Sequence, residues 1–172
     1  MLNEGYFVGQ RYELIDGELI DKMGQNAPHA SGISFVSEAL AGIAGLRRLR
    51  IQLPMEAGAK DRDRSVPEPD VSVLREWKPD YQQRHPRGDE LLLVVEVSDT
   101  TAAFDLSRKA TLYARAGVPE YWVLDVNRRL MVVHRQSDGT RYKHVQFLSE
   151  NEQVSLEGRY EAVKIVDLLP TA

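Results

Sequence analysis

Short apolar runs, set apart by turn-forming residues, organise this chain. Tyr12-Glu13-Leu14-Ile15 and Glu18-Leu19-Ile20 flank Asp16-Gly17. An Asp-Gly pair between such runs predicts a β-hairpin, because both central turn positions need positive φ. From about residue 29 to 46 the period changes, and Ile33, Val36, Leu40 and Ile43 recur every three or four positions, which predicts a helix. Asn26 or Ser31 can cap its start. Residues 49–55 read as a strand, and the charged, aperiodic stretch 56–68 reads as a loop leading to Pro69-Asp70-Val71-Ser72-Val73-Leu74, a second strand.

Residues 74–90 are polar and carry Pro79, Pro86 and Gly88, so they form a surface connection or a mobile flap. Leu91 to Val97 is almost continuously apolar, as expected of a strand buried on both faces. Thr100 or Thr101 can cap a helix over about 102–116 that carries Leu106, Ala110, Tyr113 and Ala114 on one side and stops at Gly117 and Pro119. Tyr121 to Asp125 is another buried strand, and the order strand, helix, strand implies a right-handed crossover with parallel pairing. Residues 130–135 and 141–147 flank Asp138-Gly139 as a second hairpin, with short strands near Val154 and over 163–166. The expected fold is α/β in the α+β sense: one domain over 1–172, with a central mixed sheet flanked by helices and β-hairpins toward both ends.

Composition narrows the function. The 172 residues suffice to bury roughly 70% of the surface of the unfolded chain, so no staple is needed. The absence of cysteine excludes disulfides, thiolate zinc sites and cysteine nucleophiles. Met1 to Gly5 lacks a basic region followed by an apolar one, and no apolar run approaches the roughly 20 residues that span a bilayer. A cytoplasmic protein without membrane association is expected. The net charge of -4 argues against a protein that coats nucleic acid. It leaves room for local phosphate contacts at Arg47, Arg48 and Arg50, at Arg62 and Arg64, or at Arg84, His85 and Arg87, whose bland reading is solvated surface.

The candidate chemistry sits where carboxylates interrupt apolar strands. Asp70 and Glu96 are costly to bury unless paired or metal-bound, and on adjacent strands they would share a cation. Side chains alternate along a strand, so Glu96 and Ser98 face one way and Val95 and Val97 the other. Lys109, on the helix that leaves this strand, can return its ammonium to the same place. Bland readings stand beside these. Asp70 can end a strand, Glu96 can pair with Lys109 or Arg108, and Asp105 and Lys109 at i and i+4 can form a surface pair worth about 0.3–0.5 kcal/mol. His29, after Pro28, and Glu18, on the hairpin, are weaker accessory candidates. Tyr121 and Trp122 read as core aromatics, and Asp125 as a turn residue served by Asn127-Arg128-Arg129.

Taken in order, Tyr12-Glu13-Leu14-Ile15-Asp16-Gly17-Glu18-Leu19, Pro69-Asp70-Val71, Val95-Glu96-Val97-Ser98, Asp105, Lys109, Tyr113 and Gly117-Val118-Pro119-Glu120-Tyr121-Trp122-Val123 resemble the PD-(D/E)XK nuclease superfamily, and within it the Uma-type family of restriction-endonuclease-like proteins. The resemblance implies a restriction-endonuclease-like core, with Asp70 and Glu96 as ligands of Mg²⁺ or Mn²⁺. The Val97 backbone carbonyl is expected to complete that metal site. Lys109 would be the motif lysine moved from strand to helix, since Ser98 stands where the superfamily usually has lysine. The expected activity is metal-dependent hydrolysis of DNA phosphodiesters, by a homodimer because two symmetric sites most simply cut both strands. The alternatives are a catalytically silent nuclease-fold module that binds nucleic acid or a protein partner, and a hydrolase of small phosphodiesters.

Overall fold

The computed structural model of the chain describes residues 12–22 and 26–171, so the N-terminal stretch considered above for a leader lies outside the described residues. Its centre is a six-stranded mixed sheet in the order β3-β4-β5-β6-β7-β8. The strands are β3 (Leu49–Ile51), β4 (Val71–Leu74), β5 (Leu91–Ser98), β6 (Glu120–Asp125), β7 (Leu130–Ser137) and β8 (Tyr142–Ser149). β5 and β6 pair parallel, as the intervening helix requires, and every other pair in this sheet is antiparallel. Two separate hairpins, β1 (Tyr12–Ile15) with β2 (Glu18–Asp21) and β9 (Gln153–Ser155) with β10 (Ala162–Lys164), complete the strands.

The central strands are covered on both faces. On one lies α1 (Ala27–Ala44), whose Ile33, Val36 and Leu40 join Val71, Val95, Val97 and Trp122 in the larger core. Asn26 caps α1 by accepting the His29 amide at 3.0 Å. Gly32 permits the close approach, since a Cβ there would stand 2.9 Å from Val97 Cγ1. The start of α1, with His29, is thereby drawn against the end of β5. On the opposite face Ala110, Tyr113 and Ala114 pack on Val94, Tyr121 and Val123. Those side chains come from one helical run made of α2 (Ala102–Phe104), a π turn (Asp105–Lys109) and α3 (Ala110–Arg115).

Three local expectations are corrected. The strand expected over 49–55 ends at Ile51, because Gln52 adopts φ 51° and turns the chain away from the ladder. Thr101 makes no side-chain cap for the helix; its hydroxyl donates instead to Asp105 Oδ2 at 2.6 Å. The helix itself is not uniformly α, since the Ala110 amide bonds back to the Asp105 carbonyl across the π turn. The segment before β5 is a surface connection tied down by buried Glu90, which accepts hydrogen bonds from Arg84 at 2.7 and 2.8 Å and from Lys78 at 3.1 Å.

Candidate active site

Strand register brings the two predicted carboxylates together. Val71 pairs with Val95 and Ser72 with Val94, so one step further along the same register Asp70 stands opposite Glu96. Both are 2% exposed. They lie in a cleft of about 290 Å³ whose wall also includes Val97, Lys22, His29 and Lys109.

Asp70 divides its two oxygens between different tasks. Oδ2 accepts from the Val97 amide at 2.9 Å and lies 3.2 Å from His29 Nε2. Among the described residues Oδ1 is buried without a hydrogen-bond partner, and the Lys22 ammonium lies 3.6 Å from it. Burial by itself would raise the pKa of this group. The His29 hydrogen bond, with the charges of Lys22, His29 and Lys109, outweighs burial and holds the carboxyl well below the usual range.

Glu96 is arranged differently. Its Oε1 accepts from the Tyr113 hydroxyl at 2.6 Å and from the Lys109 ammonium at 3.0 Å. Burial pushes its carboxyl up to about 8, against the pull of Lys109 and with a further push from Asp70. The π turn supplies the rest of the cluster. Lys109 contacts Glu13 Oε1 at 2.8 Å and Asp105 Oδ1 at 3.7 Å as well as Glu96, and all four side chains are 3–4% exposed. Burial would lower the Lys109 ammonium, but the surrounding carboxylates of Glu96, Glu13 and Asp105 dominate and keep it protonated. Lys109 is therefore a fixed positive charge and donor, not a base. Asp105 in turn accepts from Ser98 and Thr101, each at 2.6 Å, and the Tyr121 hydroxyl donates to its carbonyl at 3.0 Å. Single π turns recur at functional sites because they re-aim side chains out of regular helical spacing.

Of the residues singled out in the sequence, Asp70, Glu96, Val97, Lys109, His29 and Asp105 line this cleft, and Ser98 joins it through Asp105. Glu18 does not: its side chain is 64% exposed and pairs with Arg108 on the outer side of the hairpin. The surface pair considered for Asp105 and Lys109 is a buried cluster instead. Glu13, Lys22, Tyr113 and Thr101 were given no part in the chemistry. Glu13 carried a readable signal, since it shares strand parity with fully buried Ile15 and so faces inward.

Among the described residues no group of three or more His, Cys, Asp or Glu side chains has metal-holding geometry, because Lys109 occupies the space among three of the carboxylates. Two carboxylates with an orphaned buried oxygen nevertheless suit Mg²⁺, which takes one or two carboxylates and fills its shell with water and substrate phosphate.

The Uma2 family model, described as "Putative restriction endonuclease", matches residues 8–164. The chain belongs to the Uma2 family. The crystal structure of a putative nuclease of DUF820 from Anabaena variabilis is similar in fold, with a TM-score of 0.73 and 15% sequence identity. The alignment covers 91% of this Uma2 chain and 88% of that one. No functionally curated protein matches the chain.

Proposed function

We propose that this Uma2 protein is a Mg²⁺- or Mn²⁺-dependent endonuclease that hydrolyses DNA phosphodiesters. The observation that carries the reading is the pairing of Asp70 with Glu96 at the wall of a cleft, with Asp70 Oδ1 buried and unsatisfied. Asp70, Glu96 and the Val97 carbonyl would hold the ion. Bound there, a divalent cation supplies charge neutralisation at the phosphate and a more acidic water. His29 and the Val97 amide fix the Asp70 carboxylate, while Tyr113 and Lys109 fix Glu96. Lys109, always charged, stabilises negative charge that develops at the reacting phosphate.

Cleft charge supports the metal requirement. Glu13, Asp21, Asp70, Glu96, Asp99 and Asp105 line it against Lys22 and Lys109, a balance that repels a phosphate unless a cation intervenes. Surface arginines do not readily compensate. Arg47 lies over Trp77, Arg48 donates to the Leu74 and Arg75 carbonyls, and Arg84 binds Glu90.

One observation favours a second reading, a catalytically silent module. Lys109 already places one positive charge against Glu13, Glu96 and Asp105 from within the chain. Calorimetric titration of Mn²⁺ into the wild type, Asp70→Ala and Glu96→Ala, with plasmid cleavage followed in Mg²⁺ and in chelator, separates the two. The nuclease reading expects binding by the wild type alone and nicking or linearisation that chelator abolishes. Indifference of all three proteins to metal, with intact plasmid, would establish the silent module.

A further inference from the structure

The sheet ends in a three-residue strand, β3, on one side and in a long one, β8, on the other. β8 is its last strand among the described residues, eight residues long, with no proline. Its stretch from Lys143 to Phe147 is exposed on both faces, which is unusual for a strand carrying apolar residues. Val145 is 44% and Phe147 65% exposed. They overhang a groove of about 540 Å³ whose floor includes Leu106, Ala110, Val132 and Tyr142. A long open edge with apolar side chains is a template for pairing with another strand.

Charge along the edge selects the occupant. β8 opens with exposed Arg141, Lys143 and His144 and closes into a turn carrying Glu150 and Glu152. A strand polarised in this way complements itself when it runs antiparallel to a copy. We infer that two copies of this chain associate through β8, joined about a two-fold axis at Gln146 into one continuous sheet. In that register Val145 of each copy faces Phe147 of the other, so the exposed apolar pair is covered twice. Lys143 meets Ser149, and Glu150, which also pairs with Arg129 of its own copy, falls opposite Tyr142, between Arg141 and Lys143 of the other copy. No like charges face each other. A two-fold axis normal to the sheet also keeps both Val145 and Phe147 pairs on the groove side. The carboxylate centres on β5 of the two copies would lie seven strand spacings apart, roughly 34 Å along the sheet. Association through this edge requires nothing of the metal or the nuclease reading.

The chain has no cysteine, which gives a direct test. Gln146→Cys places a thiol next to its own symmetry mate, with Cα atoms about 4.5–5.5 Å apart, within disulfide reach. His144→Cys points to the same face, yet lies four residues from its mate along the strand, roughly 13 Å, and cannot be bridged. Mild oxidation should cross-link the first variant and leave the second monomeric on non-reducing gels. Sedimentation should show a dimer of twice 19.5 kDa for the wild type. Phe147→Lys, at an exposed position, should weaken dimerisation by at least about tenfold with unchanged circular dichroism. Lys143→Glu should weaken it at low salt and recover at high salt. A wild type that stays monomeric at about 100 µM, a failure of Gln146→Cys to cross-link, or equal cross-linking of both cysteine variants overturns the proposal.

Discussion

Replacing Lys109 with Met keeps the methylene stem and deletes the ammonium, which tests whether this lysine holds the site together as well as serving chemistry. The ammonium touches Glu13, Glu96 and Asp105 at 2.8, 3.0 and 3.7 Å, and none of the four side chains is more than 4% exposed. Removing one partner of a buried ion pair costs about 3–5 kcal/mol, because the uncompensated charge remains. For a chain of this size that is a fall in Tm of about 6–20 °C. The sign with pH follows from the carboxylates. Without the pull of Lys109 the pKa of Glu96, already raised by burial, rises further, so its favourable contribution is present at low pH and lost as pH rises through the raised value. The wild-type ammonium stays charged throughout, so the deficit of the variant must grow with pH. Denaturant unfolding of both proteins at pH 5 and pH 8 measures it. The expected deficit is about 3–5 kcal/mol at pH 8 and smaller at pH 5 by at least about 1.4 kcal/mol, the equivalent of one pKa unit for one proton. A deficit below about 1 kcal/mol at pH 8, or one equal at both pH values, would refute the buried-cation account and return Lys109 to a surface role.

Three further expectations follow from the same geometry. Glu96 is pushed up to about 8 by burial and must lose its proton to bind a cation, whereas Asp70 is already ionised. Mn²⁺ affinity should therefore rise about tenfold per pH unit below that value and level above it, and calorimetry showing pH-independent affinity from 6 to about 8 would contradict the assignment. Tyr113→Phe deletes the 2.6 Å hydrogen bond to Glu96; unfolding should show a loss of about 1.5–3 kcal/mol, and the Mn²⁺ profile should move to higher pH. Gly88→Ala would place a Cβ 2.3 Å from the Ala116 carbonyl oxygen, a backbone atom that cannot step aside. A loss of about 3 kcal/mol or more is expected in thermal melts, and an unchanged Tm would show that the contact between these two loops is looser than this geometry.

Asp70 and Glu96 were legible because an ionised side chain ending an apolar run violates the strand's own pattern, and strand parity puts both on the face that carries Tyr113. The parallel crossover from β5 to β6 was legible for a related reason: two strands with long apolar runs, separated by one helix, leave little topological choice. The surroundings of Lys109 were not. Glu13 reaches it from a hairpin 96 positions earlier, and nothing local states where a two-stranded hairpin packs. The end of β3 at Gln52 was hidden because its apolar pattern continues through Leu53 and Met55, while the backbone leaves the ladder by a positive φ. β8 was the most deceptive strand. Val145 and Phe147 alternate with polar residues as they would in an ordinary half-buried strand, and only the assembled sheet reveals that they stay exposed.

Charge counting ties the cluster to the two functional readings. Glu13, Asp70, Glu96 and Asp105 carry four negative charges when ionised, and Lys22 and Lys109 return two, which leaves a deficit of two positive charges in a buried network. One divalent cation closes that deficit. A proton on Glu96 closes half of it, which is the direction in which burial drives this carboxyl. A nuclease and a silent module thus differ in which positive species relieves one carboxylate cluster, a metal ion or a proton on Glu96. Metal uptake by the nuclease would expel protons in numbers that calorimetry in buffers of different ionisation enthalpy can count, and a silent module would release none.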